Sequence, residues 1–82
     1  MIEIIKAQYI EDYKIFIEFK DGSSGLVDLK DDLWGNIFEP LKDVNTFKKF
    51  KVSDIMNTIV WENGADLAPE YLFSKLNLCK LL

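Results

Sequence analysis

Glu62, Asp66 and Glu70 fall around one turn of the chain, in Ile59-Val-Trp-Glu-Asn-Gly-Ala-Asp-Leu-Ala-Pro-Glu-Tyr-Leu72. Paired carboxylates carry out general acid–base work when they flank a cleft. The spacing here specifies no cleft, and each residue has a simpler local task. Asp66 follows Gly64 and is placed to accept hydrogen bonds from loop N–H groups. Glu70 follows Pro69, which fits the first position of a helix, and its charge complements the helix dipole. Asn63-Gly64 reverses the chain, and Trp61 anchors the end of an apolar strand. A carboxylate-based enzyme using Asp66 with Glu62 or Glu70 would require these groups to converge on an open pocket.

Other residue types point to other chemistry. Asp28, Asp31 and Asp32 sit close together, but they lack the alternating oxygens, central Gly and distal Glu of a Ca²⁺ loop. A strand end followed by a helix start accounts for them. Cys79 has no His beside it to make a thiolate, which leaves it a helix-face or tail cysteine. Lys48, Lys49 and Lys51 with Phe47 and Phe50 resemble a small basic-aromatic patch of the kind that binds single-stranded nucleic acid. The solvated face of a short amphipathic helix explains them more simply. Trp34, beside Gly35 in a loop, is a credible contact for a partner. No catalytic, cofactor-binding or metal-ligating residue is assigned, and no cofactor is expected.

These residues must be positioned by short elements. Residues 2–10 alternate imperfectly, with Ile5, Ala7 and Tyr9 on one face and Ile2, Ile4 and Ile10 on the other, as in a strand. Lys14–Lys20 alternates cleanly, with Ile15, Ile17 and Phe19 inward. Phe16 breaks the outward pattern and marks partial cover or an apolar spot on the surface. Asp21-Gly22 makes a tight turn into a third strand, Ser24–Leu29, completing an antiparallel meander. Asp43 is a fair N-cap for a helix over Val44–Lys51, where Val44, Phe47 and Phe50 recur at helical spacing. Ser53–Met56 and Thr58–Trp61 read as two short strands or one bent one. A last helix starts near Pro69 and carries Leu72 and Leu76 on one face. The expected fold is α+β: a small antiparallel sheet, a meander of three strands plus one or two later strands, with two to three short helices on one face.

The 82 residues, 49% of them hydrophobic, suit one domain spanning 1–82, with a core over about 1–75 and a C-terminal extension over 76–82. All ten basic residues are Lys, there is no His, and net charge is −4. That composition disfavours duplex DNA binding, a Ser-His-Asp hydrolase and a zinc site. A lone cysteine argues for a reducing, cytoplasmic setting. No basic leader precedes a long apolar run, and no stretch reaches spanning length.

Phe19-Lys-Asp-Gly22 with Val27-Asp28-Leu29, Phe47, and above all Thr58–Leu72 carry a resemblance to the small bacterial family known as domain of unknown function 2442. The likeness covers nearly the whole chain except the tail after Lys75. It implies an α+β domain, found alone or joined to a helix-turn-helix module, and a place beside another small protein in a toxin–antitoxin-like pair. It implies no catalytic residues. The expected role is therefore a small, soluble, non-enzymatic protein-interaction module, the antitoxin or accessory half of such a pair. The alternatives are a nucleic-acid-associated regulator and, behind it, the carboxylate enzyme. The expected partner is another protein, a basic one encoded nearby. A homodimer through an exposed strand edge or the C-terminal tail is open, nucleic acid is disfavoured, and no membrane is expected.

Overall fold

A computed structural model describes residues 2–81, with side chains through Leu76. Three antiparallel strands come first: β1 (Ile4–Glu11), β2 (Lys14–Phe19) and β3 (Ser24–Asp28). Two 3-10 turns come next, Lys30–Asp32 and Glu39–Lys42, and then a short helix α1 (Val44–Phe47). β4 (Lys51–Ser53) pairs antiparallel with β5 (Thr58–Val60), and α2 (Pro69–Leu81) closes the chain. The class is α+β. The expected extension over 76–82 continues α2 as far as Leu81, and its side chains beyond Leu76, with the dimer contact expected of them, lie outside the described residues.

β2 is the central strand and is built on strict alternation. Ile15, Ile17 and Phe19 point into the core and are essentially inaccessible. Phe16 faces the other way and is half-buried, opposite Gln8 on one side and Leu26 on the other. The turn from β2 to β3 is pinned by Gly22, whose φ of 93° suits glycine and whose N–H donates to the Phe19 carbonyl at 3.0 Å. Asp21 Oδ1 accepts from the Ser23 N–H at 2.9 Å.

β1 departs from simple alternation. Its register shifts between Ile4 and Lys6 and again between Tyr9 and Glu11. Each bulge adds one residue and so reverses the parity of the residues after it. Ile4 is therefore buried on the same side as the half-buried Ala7 and Tyr9, and Ile5 is turned out to solvent. The expected grouping of Ile5 with Ala7 and Tyr9 is thereby corrected.

The helix expected over Val44–Lys51 is only one turn, Val44–Phe47. Asp43 caps it, its Oδ1 accepting from the Asn45 N–H at 3.0 Å. Four residues cannot sustain a helix by themselves. The chain leaves it so that Phe47 and Phe50 both enter an aromatic cluster with Trp61, and Lys51 starts a strand. Of the expected Ser53–Met56 strand only Ser53 is paired, opposite Thr58. The rest is a turn tied by Ser53, whose Oγ accepts from the Met56 N–H at 3.1 Å. The later strands form their own two-stranded sheet, joined to β1 by the Ile4 N–H on the Asn57 carbonyl at 3.0 Å.

α2 lies across the inner face of the meander near β3. Leu72 and Leu76 are buried, and the Phe73 ring meets Phe19 edge-on at 5.2 Å between centroids. Gly25 leaves the space that Leu76 fills: a Cβ there would lie 2.1 Å from Leu76 Cδ1. Gly25→Ala is expected to cost about 1–2 kcal/mol in urea unfolding, because the end of the buried Leu76 side chain must shift out of its seat. Adding Leu76→Ala should then cost less than the sum of the two single changes; strict additivity would refute the clash.

Candidate functional site

The corner from β5 to α2 is assembled from backbone and side-chain bonds that need little help from its carboxylates. The Trp61 N–H donates to the Ala65 carbonyl at 2.9 Å and the Gly64 N–H to the Trp61 carbonyl at 3.0 Å, with Gly64 at φ 92°. Trp61 is 4% exposed, and its indole N–H donates to the Phe47 carbonyl at 2.8 Å. Thr58 Oγ1 donates to the Leu67 carbonyl at 2.6 Å. Pro69 is the first residue of α2, with Glu70 in its first turn.

The loop is tied by Asn63 rather than Asp66. Asn63 Oδ1 accepts from the Ala65 N–H at 3.0 Å while its Nδ2 donates to the Ile37 carbonyl at 2.9 Å. Asp66 engages through its backbone bridge to Val60, and its carboxylate is exposed, with no hydrogen bond or ion pair among the described residues. The Asx bond from Asn63, just ahead of Gly64, takes the Ala65 N–H and closes the loop without Asp66. Asn63→Ala should therefore lower stability by about 1 kcal/mol and Asp66→Asn by less than about 0.5 kcal/mol, measured by thermal unfolding. The reverse order would overturn the assignment.

The three carboxylates do not gather. Glu62 faces a shallow depression of about 260 Å³ with Pro40, Leu41, Thr46, Lys49, Trp61 and Asn63, which neither Asp66 nor Glu70 lines. Among the described residues, no three acidic or cysteine side chains are grouped to hold a metal ion. Lys48, Lys49 and Lys51 are exposed, but Phe47 is buried and Phe50 half-buried in the aromatic cluster, so neither ring fronts solvent beside them.

The structure brings together a polar group that lacks a local sequence signal. Asp32, only 13% exposed at its side chain, accepts from the Tyr71 hydroxyl on one oxygen and pairs with Lys75 Nζ at 2.8 Å on the other. Lys75 also stands 5.7 Å from the Tyr71 ring centroid. The hydrogen bond to Asp32, with burial and the aspartate charge, raises the Tyr71 pKa. Burial opposes the Lys75 charge, but the hydrogen bond and charge of Asp32 outweigh it, and its pKa also rises. Both groups hold their protons more tightly folded than unfolded. Their contribution is thus complete below about pH 10 and is lost as pH rises through the raised values. Stability is expected to fall with pH above about 10, and Asp32→Asn should flatten that fall in urea titrations across the alkaline range.

Beside this group lies a depression of about 320 Å³ lined by Asp32, Trp34, Phe38, Leu67 and Tyr71. Trp34 is 75% exposed at its rim. Trp34 is legible as a contact from its loop setting. Its companions come from positions 32 to 71, and Tyr71 joins them from α2.

The family model described as protein of unknown function DUF2442 matches residues 4–76. The chain belongs to the DUF2442 family. The match to DUF2442 takes in the meander, the corner and α2 as far as Leu76, and so includes every residue of both depressions. No match was found among curated proteins or among solved structures. No helix among the described residues is long and apolar enough to cross a membrane.

Proposed function

We propose that this DUF2442 chain is a non-enzymatic protein-interaction module of the cytoplasm, the antitoxin or accessory half of a two-gene pair. The observation that carries the reading is the large indole of Trp34, 75% exposed at the rim of an apolar depression in a small domain. Trp is among the residue types that dominate binding energy at protein interfaces, and an exposed apolar patch on a small domain marks an interaction site. The carboxylates that an enzyme would need are dispersed, which favours binding over chemistry. An acidic net charge of −4 suits a basic partner by speeding encounter. The test is co-expression with the product of the neighbouring gene, followed by affinity capture and a growth assay. A stable complex and relief of toxicity are expected; the absence of both would defeat the reading.

A further inference from the structure

We propose that Asn63-Gly64 is a deamidation site that the fold holds shut, so that the chain keeps a covalent, one-way record of having been unfolded. The chemistry belongs to the pair. The Gly64 amide nitrogen, once it gives its proton to a base, attacks Asn63 Cγ; the Cγ–Nδ2 bond breaks and ammonia leaves with a proton. Water then opens the five-membered imide to aspartate or isoaspartate. Glycine favours the attack because no side chain crowds its nitrogen. The other asparagines, Asn36, Asn45, Asn57 and Asn77, precede Ile37, Thr46, Thr58 and Leu78, whose side chains, the first three β-branched, hinder it.

Asn63 and Gly64 are exposed, so water and base reach them and burial gives no protection. Hydrogen bonds give it instead. The Gly64 N–H donates to the Trp61 carbonyl at 3.0 Å, which keeps its proton in place and directs the nitrogen toward that oxygen. Asn63 Oδ1 accepts from the Ala65 N–H at 3.0 Å, and Nδ2 donates to the Ile37 carbonyl at 2.9 Å. The side-chain amide that must swing onto Gly64 is thus held at both its atoms. The bond to Ile37 spans 26 residues and is made by folding. The acid formed at this position has no N–H to donate there, and its charge faces the Ile37 carbonyl. The isoaspartyl form also lengthens the turn by one backbone carbon. An opening that ends in hydrolysis therefore leaves a chain that folds less well.

The test incubates the full chain in mildly alkaline buffer, both native and in guanidinium chloride past the unfolding midpoint. The peptide acetyl-Trp-Glu-Asn-Gly-Ala-Asp-amide in both solvents is the unprotected reference. Mass spectrometry of proteolytic fragments follows the gain that accompanies conversion of an amide to an acid, and chromatography separates the isoaspartyl form. The native chain is expected to convert at Asn63 at least about tenfold more slowly than the peptide. The unfolded chain should match the peptide, and the rate should follow the unfolded fraction across the transition. Asn63→Gln, whose extra methylene requires a slower six-membered ring, should remove conversion at this position in the unfolded chain. Asn63→Asp, the aspartyl product itself, should lower the denaturation midpoint. A native rate equal to that of the peptide would overturn the proposal. So would faster conversion at Asn36, Asn45, Asn57 or Asn77 in the unfolded chain, or an Asn63→Asp midpoint no lower than that of the unaltered protein.

Discussion

Phe47→Ala is expected to lower stability by about 3–5 kcal/mol, enough to unfold much of a domain this small at room temperature. Phe47 is inaccessible to solvent and is the hub of the aromatic cluster. Its ring lies 5.2 Å from Tyr13, 5.8 Å from Trp61, 6.3 Å from Tyr9 and 6.4 Å from Phe50. Those rings come from β1, the turn after it, the segment after α1, and the end of β5, so no one element can move in to fill the void. The cavity term therefore adds almost in full to the lost transfer energy. Phe47→Leu keeps most of the volume and should lose about 1–2 kcal/mol. Urea unfolding with near-ultraviolet circular dichroism measures both. A loss under about 1 kcal/mol for the alanine variant would show that the cluster relaxes, against the close packing of these five rings.

Trp61→Phe is expected to cost about 2–4 kcal/mol, a large effect for a change that keeps an aromatic ring. The indole N–H is bonded to the Phe47 carbonyl at 2.8 Å. That carbonyl is one of those a short helix leaves without an internal partner at its C-terminal end. Losing the donor strands it in the core, and losing the second ring leaves a gap beside Phe38 and Phe50. The bond joins residues 14 apart, so α1 and β5 loosen together. Because the two substitutions share one contact, their double mutant should cost less than their sum. Denaturation of the four proteins of the cycle decides this, and independent effects would refute the shared anchor.

What can be read from the residues is uneven for physical reasons. The β2 alternation, the Asp21-Gly22 hairpin, the Asp43 cap and Pro69 at the head of α2 are local signals, each complete within a few residues. The bulges in β1 are not legible, because a strand apolar on both faces gives no parity for a bulge to violate. β4 is hidden because Lys51-Val-Ser53 is too short for a period and follows a run with helical spacing. Trp61 reads as an anchor, but its partner carbonyl carries no side-chain signature. At the corner the type of bond is legible and the residue is not: turn chemistry favours an acidic side chain after Gly64, and the amide before it makes the bond. The Asp32–Tyr71–Lys75 group spans separations of 39 and 43 residues. Only the spacing of Tyr71 and Lys75 along one helix is local, and a tyrosine four residues before a lysine is common on any helix surface.

The seating of Leu76 over Gly25 has a consequence for how the chain assembles. The three strands of the meander pair with their neighbours in sequence and can form early, since their contacts are short-range. Their inner face around Phe19 and Gly25 is covered only when Phe73 and Leu76 arrive on α2. On a ribosome the N-terminal part emerges first. The nascent sheet therefore waits with an apolar face open through the synthesis of everything from β3 to α2. That interval is when a chaperone has its best opportunity to bind this chain.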